Sequence, residues 1–178
     1  MTVVRSASNY FELFDLPVGM DVDSEKLTAR YRDMQRVLHP DRYAHAPDHE
    51  RRVALQLAAE VNDGYRTLKE PLSRARYLLE LRGALNDAEA TLHDPEFIEE
   101  QIELREALAE IDIGADGREL ERFRGQVLAR QQACLQALRQ ALSSDAAADL
   151  ESGRRQLYRL QFLQRLLEEV EARAEDMD

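Results

Sequence analysis

An all-α fold is predicted for this 178-residue chain by three observations. Ala, Leu, Glu, Arg and Gln dominate, residues that lose little entropy in a helix, while Trp is absent and Gly and Pro number only 7 and 5. Apolar residues recur at three- and four-residue spacing along most of the chain. The prolines and the short acids fall where helices should begin or end. A hydrophobic content of 44% is enough to build a core for one domain or two small ones.

The elements follow in order. "NYFELFDLP" reads as a short apolar turn closed by Pro17. Asp23 or Ser24 can cap the next helix, whose Leu27, Tyr31, Met34 and Leu38 form one buried face before Pro40 ends it. A third helix begins near Asp48 and runs through Val53, Leu57, Val61, Tyr65 and Leu68, a core face stepped mainly by four, to stop before Pro71. "PLSRARYLLELRG" starts with proline and ends at Gly83, the usual helix asymmetry. "ALNDAEATLHDP" reads as a linker. Asp94 and Pro95 then start a helix to about Glu110, "IGADG" breaks it, and two more helices cover Arg118 to about Leu142 and Leu150 to about Arg173. This second half is expected to be a three-helix bundle.

Charge narrows the function. The net charge of -11 is unevenly placed, with 13 basic and 13 acidic residues in 1–83 but 11 basic and 22 acidic in 84–178. An acidic, aromatic-poor second half argues against nucleic acid, since phosphate binding needs concentrated positive charge. No run of about 18 apolar residues could span a membrane, and the first residues lack the pattern of a signal peptide. A cytoplasmic protein with protein partners is expected. The single cysteine, Cys134, excludes an intrachain disulfide or a four-cysteine metal site within the chain. It falls on the wheel with Leu120, Val127 and Leu138, as a core residue would.

The tripeptide His39-Pro40-Asp41 is the most distinctive local feature. Pro40 stops a helix and stiffens a corner, at whose tip His39 offers a donor and Asp41 a carboxylate. It lies between "LTARYRDMQRVL" and "EVNDGYRTLKEPLSRARYLL". With Leu27, Tyr31, Arg32, Met34, Arg42, Val61, Asn62, Tyr65, Leu68 and Pro71, this arrangement resembles a J domain. The resemblance implies a helical hairpin with flanking helices that docks on a DnaK-type chaperone ATPase. It assigns that docking to His39, Pro40, Asp41 and Arg42 and to a basic face of Arg30, Arg32 and Arg36. Asp33 departs from the family, in which a basic residue is common there, and leaves room for a specialised partner. Gly64 also departs, standing inside a helix where a better helix former is usual.

The second half narrows the family further. "DPEFIEEQIELREALAEI" and "YRLQFLQRLLEEV" resemble the HscB co-chaperones of iron-sulfur cluster assembly, so the likeness runs from Tyr10 to about Glu171. It implies a J domain over 1–83, a linker over 84–94 and a three-helix scaffold-binding domain over 95–178. By this resemblance the J domain engages the chaperone HscA and the bundle carries the cluster scaffold IscU. The two CxxC zinc motifs that some relatives add are absent from this chain, and no metal or other cofactor is expected.

Helical-wheel arithmetic points to a second binding surface. At about 100° per residue, Phe97, Leu104, Leu108 and Ile111 cluster as a core stripe. Ile98 and Ile102 lie about 100° and 140° from Phe97, beside Glu99, Glu103, Glu106 and Glu110. In the last helix Leu157, Leu160, Leu163, Leu167 and Val170 make the core stripe, with Tyr158, Phe162 and Leu166 at i, i+4 and i+8 expected on the opposite side. Apolar groups rimmed by carboxylates mark an interaction site. Ile98, Ile102 and Phe162, with Glu99, Glu103 and Glu106, are therefore expected to bind the scaffold. Tyr158 and Leu166 stay open, because a helix central to a bundle can be apolar on two sides. Two other functions are conceivable. One is a general J-domain co-chaperone for another client. The other is a metal-dependent enzyme using His39, Asp41, His45 and His49, opposed by Pro47 between the last two; with His93, these histidines otherwise read as exposed loop residues.

Overall fold

The computed structural model describes residues 7–44, 46–85, 94–111 and 117–175, and its long helices begin where the sequence predicts except the last, which starts at Ala147 rather than Leu150. Among the described residues the structure is entirely helical: α1 Tyr10–Leu13, α2 Ser24–Val37, a 3-10 turn Pro40–Tyr43, α3 Asp48–Lys69, α4 Pro71–Leu81, α5 Pro95–Glu110, α6 Arg118–Ala141 and α7 Ala147–Glu175. The described residues divide into two compact units between Leu78 and Leu79. His45, His93 and most of the expected linker lie outside the described residues.

In the first unit, the Asn9 side chain caps α1 by accepting from the Glu12 amide at 3.0 Å, and Asp23 caps α2 through the Lys26 amide at 2.9 Å. The chain leaves α1 through Asp15 at φ 52°, a left-handed conformation that Asp tolerates better than most residues. Phe11, Phe14, Leu16, Leu27, Leu38, Val61, Leu68 and Leu78 make the core, each fully buried side chain contributing roughly 1.5–3 kcal/mol. Gly64 has a packing reason that the wheel alone did not reveal. A Cβ there would stand 3.0 Å from Tyr10 Cδ1 and 3.1 Å from Phe14 Cε2, so a larger residue would press both rings back by a few tenths of an ångström.

Of the expected core faces of α2 and α3, Tyr31, Met34, Leu57 and Tyr65 are only half-buried, and one residue is exposed outright. Val53 is exposed and Ala54 takes its place inside. Steps of four drift about 40° each, which carries Val53 about 80° from Val61, whereas Ala54, seven residues from Val61, falls about 20° from it. Arg74 does more than its sequence context suggests. It is buried and donates to the carbonyls of Leu68 at 2.7 Å, Met20 at 2.5 Å and Lys69 at 3.2 Å, closing the C-terminal end of α3.

In the second unit α7 packs against both α6 and α5. Leu120, Phe123, Val127, Cys134 and Leu138 of α6 are buried, as are Leu157, Leu160, Leu163, Leu167 and Val170 of α7. Phe162 and Leu166 are buried too, so α7 carries two apolar faces because it is the central helix. Arg82 closes the end of α6, donating to the carbonyls of Leu142 at 3.0 Å and Ser144 at 3.3 Å and pairing with Asp145 at 2.9 Å.

Candidate functional site

The corner after α2 is a built structure rather than a bare loop. Pro40 opens the 3-10 turn with its φ already set, and the Arg42 amide returns to the His39 carbonyl at 3.0 Å. His39 caps this turn, its Nδ1 accepting the Asp41 amide in a long contact of 3.4 Å. The Asp41 carboxylate lies 3.6 Å from the same Nδ1 and is almost fully exposed. His39, Pro40, Asp41 and Arg42 are all exposed. Arg42 also turns back to donate to the Arg36 carbonyl at 3.4 Å, which ties the corner to the last turn of α2.

The basic residues do not share one face. Arg32 and Arg36, four residues apart, lie about 40° from each other and point away from the core. Arg30 stands about 120° from Arg36 and is held by Asp15 at 2.7 Å, with Lys26 at 3.9 Å from the same carboxylate. Arg30 therefore leaves the outward stripe and serves the α1–α2 connection. Arg36 makes an exposed pair with Asp33 at 3.4 Å, and among the described residues Arg32 makes no ion pair.

The α5 surface is set by contacts to α7. Asp94 caps α5 through the Phe97 amide at 3.1 Å while its other oxygen meets Arg159 at 3.3 Å. Arg159 lies over the Phe97 ring at 5.3 Å, and Phe97 meets Phe162 edge to face at 5.9 Å. Arg173 donates to the Leu108 carbonyl at 2.6 Å at the other end of α5. With Phe97, Leu104 and Leu108 turned inward, Ile98 at 42% exposure and Ile102 at 52% stand outward, four residues apart, with Glu99, Glu103 and Glu106 also exposed.

Phe162 does not join that surface. It is only 6% exposed, covered by Phe97 and by the Arg105 guanidinium at 5.8 Å from its ring. The expectation of a three-residue patch is corrected: α5 lies on the second apolar stripe of α7 and buries it. Leu166 is buried with it, and Tyr158 is half-buried, its hydroxyl enclosed without a hydrogen-bond partner among the described residues.

The remaining chemistry is sparse. Burial pushes the Cys134 thiol up from 9.0 to about 11, against the lowering influence of Arg159, and its Sγ lies 3.1 Å from both the carbonyl and the side-chain oxygen of Gln156. A protonated, buried thiol is a poor nucleophile. Among the described residues no group of three or more His, Cys, Asp or Glu is arranged to hold a metal, and His49 is exposed in the first turn of α3. Among them, too, no helix is long and apolar enough to cross a membrane.

The chain is similar to known proteins over nearly its whole length. Residues 93–171 match the family model described as the HSCB C-terminal oligomerisation domain. The co-chaperone protein HscB homolog of Aeromonas hydrophila subsp. hydrophila is 43% identical over 168 residues, covering 92% of this chain and 94% of that one. The structure of the chaperone HscB from Vibrio cholerae superposes with a TM-score of 0.84 at 37% identity, covering 96% of this chain and 99% of that one. The crystal structure of human co-chaperone protein HscB gives a TM-score of 0.84 at 29% identity, over 95% of this chain and 83% of that one. Similarity of this extent in both sequence and fold means that the chain belongs to the HscB family, co-chaperones of Hsp70-type partners and not enzymes.

Proposed function

We propose that this protein stimulates the ATPase of a specialised DnaK-type chaperone, HscA, and delivers to it the iron-sulfur scaffold IscU in the cytoplasm. The observation that carries this reading is the corner: an exposed His-Pro-Asp turn, stiffened by Pro40 and tied to α2 by Arg42, beside the outward cations Arg32 and Arg36. Such a rigid, polar tip flanked by positive charge suits an acidic docking surface, and preorganisation lowers the entropy lost on binding. For the scaffold, the supporting feature is the exposed Ile98–Ile102 pair with Glu99, Glu103 and Glu106 around it. An apolar centre with a charged rim is the common pattern of a protein interface.

The test is the steady-state ATP turnover of purified HscA with and without this protein. His39→Gln should abolish the stimulation while helical content by circular dichroism stays at the wild-type level. Full stimulation by the folded variant would reject the corner as the docking element.

A further inference from the structure

The hairpin interface next to the corner is polar where a purely apolar seam would be expected. Asn62 of α3 accepts two hydrogen bonds at one oxygen, Oδ1, from the Tyr31 hydroxyl at 2.9 Å and from Gln35 Nε2 at 2.6 Å. Gln35 Nε2 also lies 3.2 Å from the Tyr31 hydroxyl, so three side chains close a small ring of bonds across α2 and α3. The Tyr31 ring stacks on Tyr65 with centroids 4.0 Å apart and planes at 13°. All of this is partly buried, where directional bonds fix geometry more firmly than they do in water.

The placement matters. Gln35 stands one turn before His39, and Arg36, whose carbonyl receives the Arg42 guanidinium, is the next residue. The corner is thus tied to the end of α2 by Arg42, and the end of α2 is tied to α3 by the Asn62 ring of bonds. Apolar contacts alone let helices slide and rotate by small amounts; hydrogen bonds with fixed partners do not.

Resting on the docking reading above, we propose that Asn62, with Gln35 and Tyr31, is a positioning cluster that sets the direction in which the His39-Pro40-Asp41 corner is presented to the chaperone. It does not touch the partner. Its chemistry is specific: in these bonds Asn62 acts only as an acceptor, so Asp, which keeps the acceptor and the shape, can replace it, whereas Leu, which keeps the shape alone, cannot.

The experiment measures HscA turnover against concentration of the full-length protein for wild type, Asn62→Leu, Asn62→Asp and Gln35→Met, with His39→Gln as control and a thermal melt of each. Asn62→Leu should lower the maximal stimulated rate about three- to tenfold while the half-maximal concentration moves less than about twofold, because the outward cations still dock. Gln35→Met should give a smaller loss of the same kind. Asn62→Asp should restore the wild-type maximum. A merely structural role gives the opposite split, since a partly unfolded population raises the half-maximal concentration and leaves the maximum alone. That pattern would overturn the proposal. So would wild-type behaviour of Asn62→Leu, or equal losses in the Leu and Asp variants. If Asn62→Leu fails to fold, Gln35→Met decides by the same split. If His39→Gln still stimulates, the docking reading itself is wrong and the proposal falls with it; if His39→Gln is inactive and neither Asn62→Leu nor Gln35→Met lowers the maximum, the proposal alone fails.

Discussion

Single side chains in the bundle divide into those that hold it and those that are free to bind. Phe162 is enclosed by Phe97 and Arg105, so Phe162→Ala should cost roughly 3–5 kcal/mol of stability, read as a lower urea midpoint. Ile98→Ala with Ile102→Ala should leave that midpoint nearly unchanged and weaken IscU binding about tenfold or more by calorimetric titration. The sequence distinguished these residues only in part. The wheel located Ile98 and Ile102 off the core stripe, but it could not tell that the second stripe of α7 is covered by α5, because a wheel records directions and not neighbours. Cys134 was legible as core from its companions, and its environment adds a pH dependence. The unfolded chain ionises near 9.0 while the folded one keeps its proton to about 11. Its contribution to stability is therefore constant below about pH 9 and is lost as pH rises from about 9 to about 11. Between about pH 8 and pH 10.5 the wild type should lose about 1–2 kcal/mol more stability than Cys134→Ala in urea titrations.

At the level of elements, helix starts were the most legible feature, since Asp23 and Asp94 make the caps that their positions announce. Start and stop chemistry is local, so neighbouring sequence is enough to read it. The face of α2 was less legible. Arg30, Arg32 and Arg36 look like one basic stretch in sequence, yet helical rotation separates Arg30 from the other two, and the left-handed Asp15 that holds it gave no sequence signal. This division makes a prediction about salt. Arg32→Ala and Arg36→Ala should raise the half-maximal concentration for HscA stimulation and flatten its dependence on salt, because attraction between surface charges fades within a Debye length, about 10 Å at 0.1 M. Arg30→Ala should leave that salt dependence intact. Equal effects of all three would restore the single basic face.

Across the whole molecule, the fold class, the helical order and the family were all accessible from the chain alone, because periodicity, caps and the His-Pro-Asp corner agree with one another. What escaped it was set by contact between distant residues: Arg74 reaching the Met20 carbonyl, Gly64 admitting Tyr10 and Phe14, and the cover over Phe162. Chaperone docking through His39-Pro40-Asp41 and scaffold binding through Ile98 and Ile102 use different residues of one chain, so the two should be separable by mutation. The most direct measurement is HscA turnover with this protein, with and without IscU, for wild type, His39→Gln and Ile98→Ala/Ile102→Ala. His39→Gln should give no stimulation under either condition, and the isoleucine double variant alone should stimulate like the wild type but lack the increment that IscU adds to the wild type. Stimulation by a folded His39→Gln protein, or an undiminished IscU increment with the isoleucine variant, would contradict these assignments.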